Sequence, residues 1–190
     1  PILKINLPIG LQFGSNPDGI EMQNDDLLDK KPGVTRALLG GNVTLDGSDL
    51  EVRGGRVDLG GLAETGTVNL VSKDGNFSFN FPVGVKRSDV LLRNGAVVNV
   101  RDKEGGDIVI NAHNFSLTEG SRLKAGIREI GTTSSEAGDI NVNATGKVIL
   151  TAAGSFISNT VEEGGLGQGG NVDIDAKELS VSNGAQIAAA

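Results

Sequence analysis

One segment recurs at fixed spacing, and that recurrence limits the fold more than any other feature. "GGDIVINA" (Gly105 to Ala112), "GDINVNA" (Gly138 to Ala144) and "GGNVDIDA" (Gly169 to Ala176) align so that Ile108, Ile140 and Val172 stand 32 residues apart. Two further columns are apolar, Ile110/Val142/Ile174 and Ala112/Ala144/Ala176. The columns between them, Asp107/Asp139/Asn171 and Asn111/Asn143/Asp175, are polar, and one is mixed, with Val109 above Asn141 and Asp173. A period of two within the segment marks a β-strand with one buried face, and the longer period marks a stacked repeat.

The remainder of each unit repeats too. A second strand reads "FSLTEG", "VILTAAG" and "LSVSNG", with inward candidates Phe115/Leu117, Val148/Leu150 and Leu179/Val181. A third reads "SRLKA", "SFISN" and "AQIAA", centred on Leu123, Ile157 and Ile187, with Gly120, Gly154 and Gly184 at the corner between second and third. One such unit cannot bury its apolar face alone, but a neighbour about 4.8 Å away hydrogen-bonds to it along every strand. The expected fold is therefore all-β: a right-handed parallel β-helix, or β-solenoid, with three short strands per coil. Asn over Asn on the outer surface is expected to form an amide ladder. The longer connections, Gly126 to Gly138 and Asn159 to Gly170, should bulge from one corner as surface loops.

Upstream the pattern loosens, so the single domain of residues 1–190 divides into three stretches. Residues 101–190 carry the regular repeats. Residues 37–100 hold irregular coils, with Val43/Leu45, Leu50/Val52 and Val57/Leu59 inward and Val90, Leu92 and Val98 in register. Within them, residues 67–81 read as an extra-helical hairpin with an Asp74-Gly75 turn. Residues 1–36 include Pro1, Pro8, Pro17 and Pro32 and are expected to form irregular edge strands and loops beside the first coils. The first residue is not Met and the last stretch, "GAQIAAA", stops inside the repeat, so the chain is expected to be a fragment of a longer one.

Composition removes several classes. With 29 Gly but 5 Pro and no triplet period, the chain is not collagen-like. Hydrophobic content of 37% is too high for a disordered chain. A net charge of −7 without a Lys/Arg cluster disfavours nucleic acid and anionic membrane surfaces. There is no Cys, hence no disulfide or thiol chemistry, and no apolar run long enough for a membrane-spanning helix.

Candidate chemistry is sparse. "GGLGQGGNV" (Gly164 to Val172) has the first glycines of a calcium-binding nonapeptide but Gly169 where the Asp should stand, so it reads as a corner loop. His113 is the single histidine and sits just past a strand, which suits a solvated turn. Asp173 and Asp175 share an outward face, but the coils beneath offer Asn141/Asn143 and Val109/Asn111; Asp25-Asp26 lies in irregular sequence. A β-helix glycosidase or lyase needs clustered charged groups, and three or more in one outer groove would favour it. Phe77, Phe79 and Phe81 fall on one hairpin face, where they either offer sugars a platform or clamp the hairpin to the solenoid. Asn-x-Ser/Thr at Asn42, Asn76, Asn114 and Asn143 follows from composition. No catalytic, cofactor-binding or metal-ligating residue is assigned, no cofactor is expected, and the chain is expected not to be an enzyme.

"KINLPIGLQFGSNPDGI" (Lys4 to Ile20), then "LLGGNVTLDGSDLEVRGGRVDLGGL", then repeats of the type "GGxIxVxA…LxxGSxIxA" resemble the filamentous-haemagglutinin-like exoproteins of two-partner secretion, particularly the branch common in photosynthetic bacteria. The likeness is to the rear of the secretion domain running into the first β-helix repeats. It implies export through an outer-membrane transporter partner, then folding as a secreted, extracellular or cell-surface adhesin. It also implies a structural, stalk-like role with a host-surface, matrix or polysaccharide ligand. The alternative is a polysaccharide-binding or polysaccharide-cleaving β-helix. Open coil ends expose unpaired strand edges, so end-to-end self-association is expected as well.

Overall fold

The computed structural model describes residues 10–29, 31–73, 76–128 and 130–190. The parallel strands fall into six turns of a coil. The first turn comprises β2 (Ile20–Gln23), β3 (Asp26–Asp29) and β4 (Thr35–Gly40), and the second β5 (Val43–Asp46), β6 (Asp49–Val52) and β7 (Arg56–Gly61). The third, fourth and fifth are β10 (Val90–Arg93), β11 (Val97–Asn99), β12 (Asp107–Ala112); β13 (Phe115–Leu117), β14 (Arg122–Ile127), β15 (Ile140–Ala144); and β16 (Lys147–Leu150), β17 (Phe156–Val161), β18 (Val172–Asp175). The sixth supplies β19 (Glu178–Val181) and β20 (Gln186–Ala189). Sheet one runs β2-β5-β10-β13-β16-β19, sheet two β3-β6-β11-β14-β17-β20 and sheet three β4-β7-β12-β15-β18. Every pairing in them is parallel, and the winding is the right-handed β-helix expected for parallel crossovers.

The registers are those read from the repeat: Ile108 pairs with Ile140 and Ile140 with Val172, while Leu123 pairs with Ile157 and Ile157 with Ile187. Ile108, Ile110, Leu117, Leu123, Ile140, Leu150 and Ile157 are fully buried, in one continuous core that also takes in Val43, Leu50 and Leu59. Each such side chain contributes roughly 1.5–3 kcal/mol by leaving water. The corner between sheets one and two turns on two consecutive left-handed residues, Asn94-Gly95, Glu119-Gly120 and Asn183-Gly184, which is why Asn and Gly recur there. The fifth coil spreads the turn over an extra residue, with Ala152 and Gly154 taking positive φ.

Four expectations change. The stack starts earlier than the periodicity shows, since Ile20 already pairs with Val43 and Leu27 with Leu50 inside the Pro-containing stretch read as irregular. Leu179 and Val181 align with Val148 and Leu150 as read, yet stay 48% and 43% exposed because the sixth coil has a neighbour on one side only. The side-chain ladder bonds also run along other columns than Asn111/Asn143. Asp107 Oδ1 accepts the Asp139 N–H at 3.0 Å, and Asp139 Oδ1 accepts the Asn171 N–H at 2.8 Å. A second ladder climbs the corner before sheet one: Asn42 Oδ1 accepts the Asp89 N–H (3.1 Å), Asp89 Oδ1 the Asn114 N–H (2.9 Å) and Asn114 Oδ1 the Lys147 N–H (3.0 Å). At these corner positions the backbone N–H donates to no backbone carbonyl, so an Asp or Asn one coil away satisfies it.

The long connections do not simply bulge. Their first residues continue β14 and β17, and the rest stack on each other through Ala137 N–H to Gln168 O and Gln168 N–H to Ser135 O, both 2.9 Å. Ile127 is fully buried beneath them, and Asn159, also fully buried, donates to Gly138 O and Asn171 O at 2.9 Å each.

Ile140→Asp places an unpaired carboxylate between Ile108 and Val172 and should cost more than about 4 kcal/mol. The expected outcome is loss of the cooperative circular-dichroism melt; a normal melt would mean the inward column is misassigned.

Candidate functional site

Between β7 and β10 the chain leaves the coil as β8 (Gly66–Lys73) and β9 (Asn76–Asn80), an antiparallel hairpin pairing Asn69 with Asn80 and Lys73 with Asn76. This is the hairpin expected at 67–81; its Asp74-Gly75 turn lies outside the described residues. A third strand, β1 (Gly10–Phe13), pairs antiparallel with β8, Leu11 against Val68. The result is a small extra-helical sheet, β1-β8-β9.

That sheet lies across the outer face of sheet three. Phe79 pairs across the hairpin with Leu70, and the two line an apolar depression with Leu11, Thr35, Ala37 and Phe77 of about 300 Å³. The covered outer columns are consequently dry: Asp58 is 1%, Asn111 7% and Val109 8% exposed. The outward column read as mixed is thus sealed over the second and third coils, where Val109 replaces the Asn141 and Asp173 of later ones. Gly60 lets both β12 and the end of the hairpin come close, since a methyl there would stand 2.3 Å from Asn111 O of β12 and 3.1 Å from Phe81 Cζ. The phenylalanines form the clamp; Phe77, 43% exposed, reaches the edge.

Beside Phe77 opens a groove of about 460 Å³, lined among others by Thr35, Gly55, Ser78 and Gly106 and floored by Arg56 and Asp107. Arg56 and Asp58 project two residues apart from β7 onto the same face. The guanidinium grips Asp58 with both prongs, Nε to Oδ2 at 2.7 Å and Nη2 to Oδ1 at 3.0 Å, and Nη1 reaches Asp107 Oδ2 at 3.3 Å. Burial pushes the Asp58 carboxyl above its ordinary pKa, with Arg56 pulling the other way. Burial alone would weaken the charge on Arg56, but Asp58 and Asp107 more than offset it and hold its pKa above the usual value. Two charged groups, Arg56 and Asp107, line this groove, with Asp58 buried beside Arg56 and both its oxygens taken by the guanidinium; Arg87, Asp175 and Lys177 line a second groove of about 460 Å³. The arrangement around Arg56 fixes the floor of the first groove and leaves Thr35 and Ser78 as hydroxyl contacts at its rim.

The other candidates stand apart from it. His113 follows β12 on the surface, with Nδ1 3.0 Å from Thr145 Oγ1. Asp173 and Asp175 face outward on β18, and Asp175 acts on Arg87, whose Nη1 donates to Asn143 O at 2.9 Å while its guanidinium lies 5.5 Å from the Phe81 ring centre. Asp25 caps its own turn, accepting the Asp26 N–H at 2.9 Å. Gly164 to Gly170 lie in the stacked loop, and among the described residues no group of three or more His, Asp or Glu could hold a metal ion. Arg87 and Arg56 were missed from sequence. Arg87 sits in aperiodic sequence, whereas Arg56-Val57-Asp58, opposite charges at period two, carried a usable signal.

Gly60→Ala should push β7 from β12 at Asn111, displace Phe81 and with it the hairpin, and cost about 1–3 kcal/mol. Hydrogen exchange should quicken in β8 and β9 while β14 and β17 keep their protection; unchanged exchange would count against the clamp. His113→Ala should shift stability by less than about 0.5 kcal/mol by thermal melt, as expected for a solvated surface group.

A family model described as the TPS secretion domain matches residues 1–117, from the N-terminal stretch through the extra-helical sheet to the end of β13. No curated protein and no solved structure matches the chain.

Proposed function

The chain belongs to the TPS secretion domain family, which makes it a substrate of two-partner secretion exported across the outer membrane by a transporter partner, and on that premise we propose what it does after export. It is a structural and adhesive segment of a filamentous-haemagglutinin-like surface protein, a rigid β-helical stalk that holds its loops out for contact. One observation carries this: all three sheets continue past the matched residues into β14 to β20 without a change of register. A secretion domain that passes seamlessly into repeats suits a rod, because bending it would break parallel hydrogen bonds on three sides at once. The stacked loops over Ile127, carrying exposed Ile130 and Leu166, are its contact points toward a host surface, matrix or polysaccharide.

The function is non-catalytic in this reading, with the Asp107 carboxylate of the groove beside Phe77 held by Arg56 at 3.3 Å. The rival, a polysaccharide-binding or polysaccharide-cleaving β-helix, draws on that same groove beside Phe77; retention on a polysaccharide column would establish the binding form and release of reducing ends the cleaving one.

The test uses the complete exoprotein in cells that carry its transporter. Replacing residues 130–137 and 162–169 with Gly/Ser should leave the amount exported unchanged and lower adhesion to a cell layer severalfold. Undiminished adhesion at equal surface amount would show that the loops are not the contact.

A further inference from the structure

The outer face of sheet two is segregated by charge along the coil axis. Residues in register form two outward columns: Asp26, Asp49, Val97, Arg122, Phe156, Gln186; and Leu28, Glu51, Asn99, Lys124, Ser158, Ala188. The acids lie on the first two coils and the cations on the fourth. Among the described residues Asp26 and Asp49 make no ion pair, and like charges stacked one strand apart repel. Asp49 is accordingly pushed above its ordinary pKa, by burial first and then by Asp26. Lys124 is pushed below its own, by burial and then by Arg101 and Arg122. Arg122 and Lys124 form no ion pair among the described residues, although Asp49 acts on both and Glu162 on Lys124 at longer range; they lie 5.3 and 5.7 Å from the Phe156 ring centre. Their neighbours are already matched, Arg101 with Glu162 and Glu51 with Arg53 (2.7 Å) and Arg128 (3.4 Å).

We propose that this face docks on the same face of a second copy, with the two coil axes antiparallel. A two-fold axis along β11 lays the Val97 and Asn99 row on its own equivalent and exchanges the second coil with the fourth. Asp49 then faces Arg122 of the other copy and Glu51 faces Lys124, each contact made twice, as an isologous interface requires. Asp49 and Glu51 of one copy meet Arg122 and Lys124 of the other, Glu51 keeping its own arginines, and the half-buried Val97 pair is the apolar centre. Parallel axes would set acid on acid, so the charge pattern selects the antiparallel arrangement. The strip is about 19 Å long and about 10 Å wide, counted as four strand spacings by a few residues. That is far below the ~800 Å² per partner of stable complexes, so the dimer is weak and salt-sensitive. It is a side-by-side contact, distinct from end-to-end stacking.

Sedimentation velocity on the 190-residue chain tests it. Self-association should appear at about 20 mM salt and vanish by about 500 mM, where charges are screened within a few ångströms. Asp49→Arg or Arg122→Asp alone should weaken the dimer at least tenfold, about 1.4 kcal/mol. The double variant Asp49→Arg/Arg122→Asp should restore it, since each reversed charge meets its reversed partner. Both side chains face outward, and circular dichroism verifies folding of each variant. A monomer at every concentration in low salt overturns the proposal, as does a dimer that the double variant fails to rescue. Arg122- and Lys124-dependent binding of a sulfated polysaccharide without self-association would assign the face to an anionic polymer and overturn it equally.

Discussion

No coil of this protein can stand by itself. Each is a flat loop of short strands with one face of apolar side chains and two edges of unpaired backbone groups. Both are satisfied only by the coils above and below, through parallel hydrogen bonds and like side chains in register. The fully buried side chains of the third to fifth coils and the half-open Leu179 and Val181 of the sixth differ in little but their neighbours. Stability here is a sum over interfaces between turns, and a defect in one column is felt by both adjoining turns.

The same constraint explains where polar residues go. Along the strands, backbone groups pair with backbone groups. At some corner positions they do not, and there the Asp107/Asp139/Asn171 and Asn42/Asp89/Asn114 ladders take over. Outside, surface not needed for stacking is available for other work. On sheet three it receives the extra-helical sheet, with Gly60 giving clearance and Arg56 neutralising the Asp58 that the cover removes from water. On sheet two it is left open and divided by charge.

What could be read in advance follows from this. Columns such as Ile108/Ile140/Val172 were visible because stacking demands like residues at like positions, and two periodicities, 2 and 32, report it together. The first coil was hidden because Pro17 and Pro32 flank strands of four to six residues, too short to show a period. The hairpin was local and legible, but its third strand was not: Leu11 and Val68 are far apart in sequence and nothing in either announces the other. The ladders were assigned to Asn111 and Asn143 because similarity in a column does not say whether a backbone donor is free. Arg87 reaches Asn143 from sequence without any repeat, so no pattern pointed to it.

The hairpin is inserted at a corner, and the corner does not register its presence. Asp89 meets Asn42 across a separation of 47 residues, Asn114 meets Asp89 across 25, and Lys147 meets Asn114 across 33, all in the same geometry. The lattice counts turns and ignores chain length between them. Such a scaffold can accept new segments at its vertices, by mutation or by a designer's hand, without renegotiating its core. A corner of a solenoid is in that sense a socket, and this chain shows one already in use.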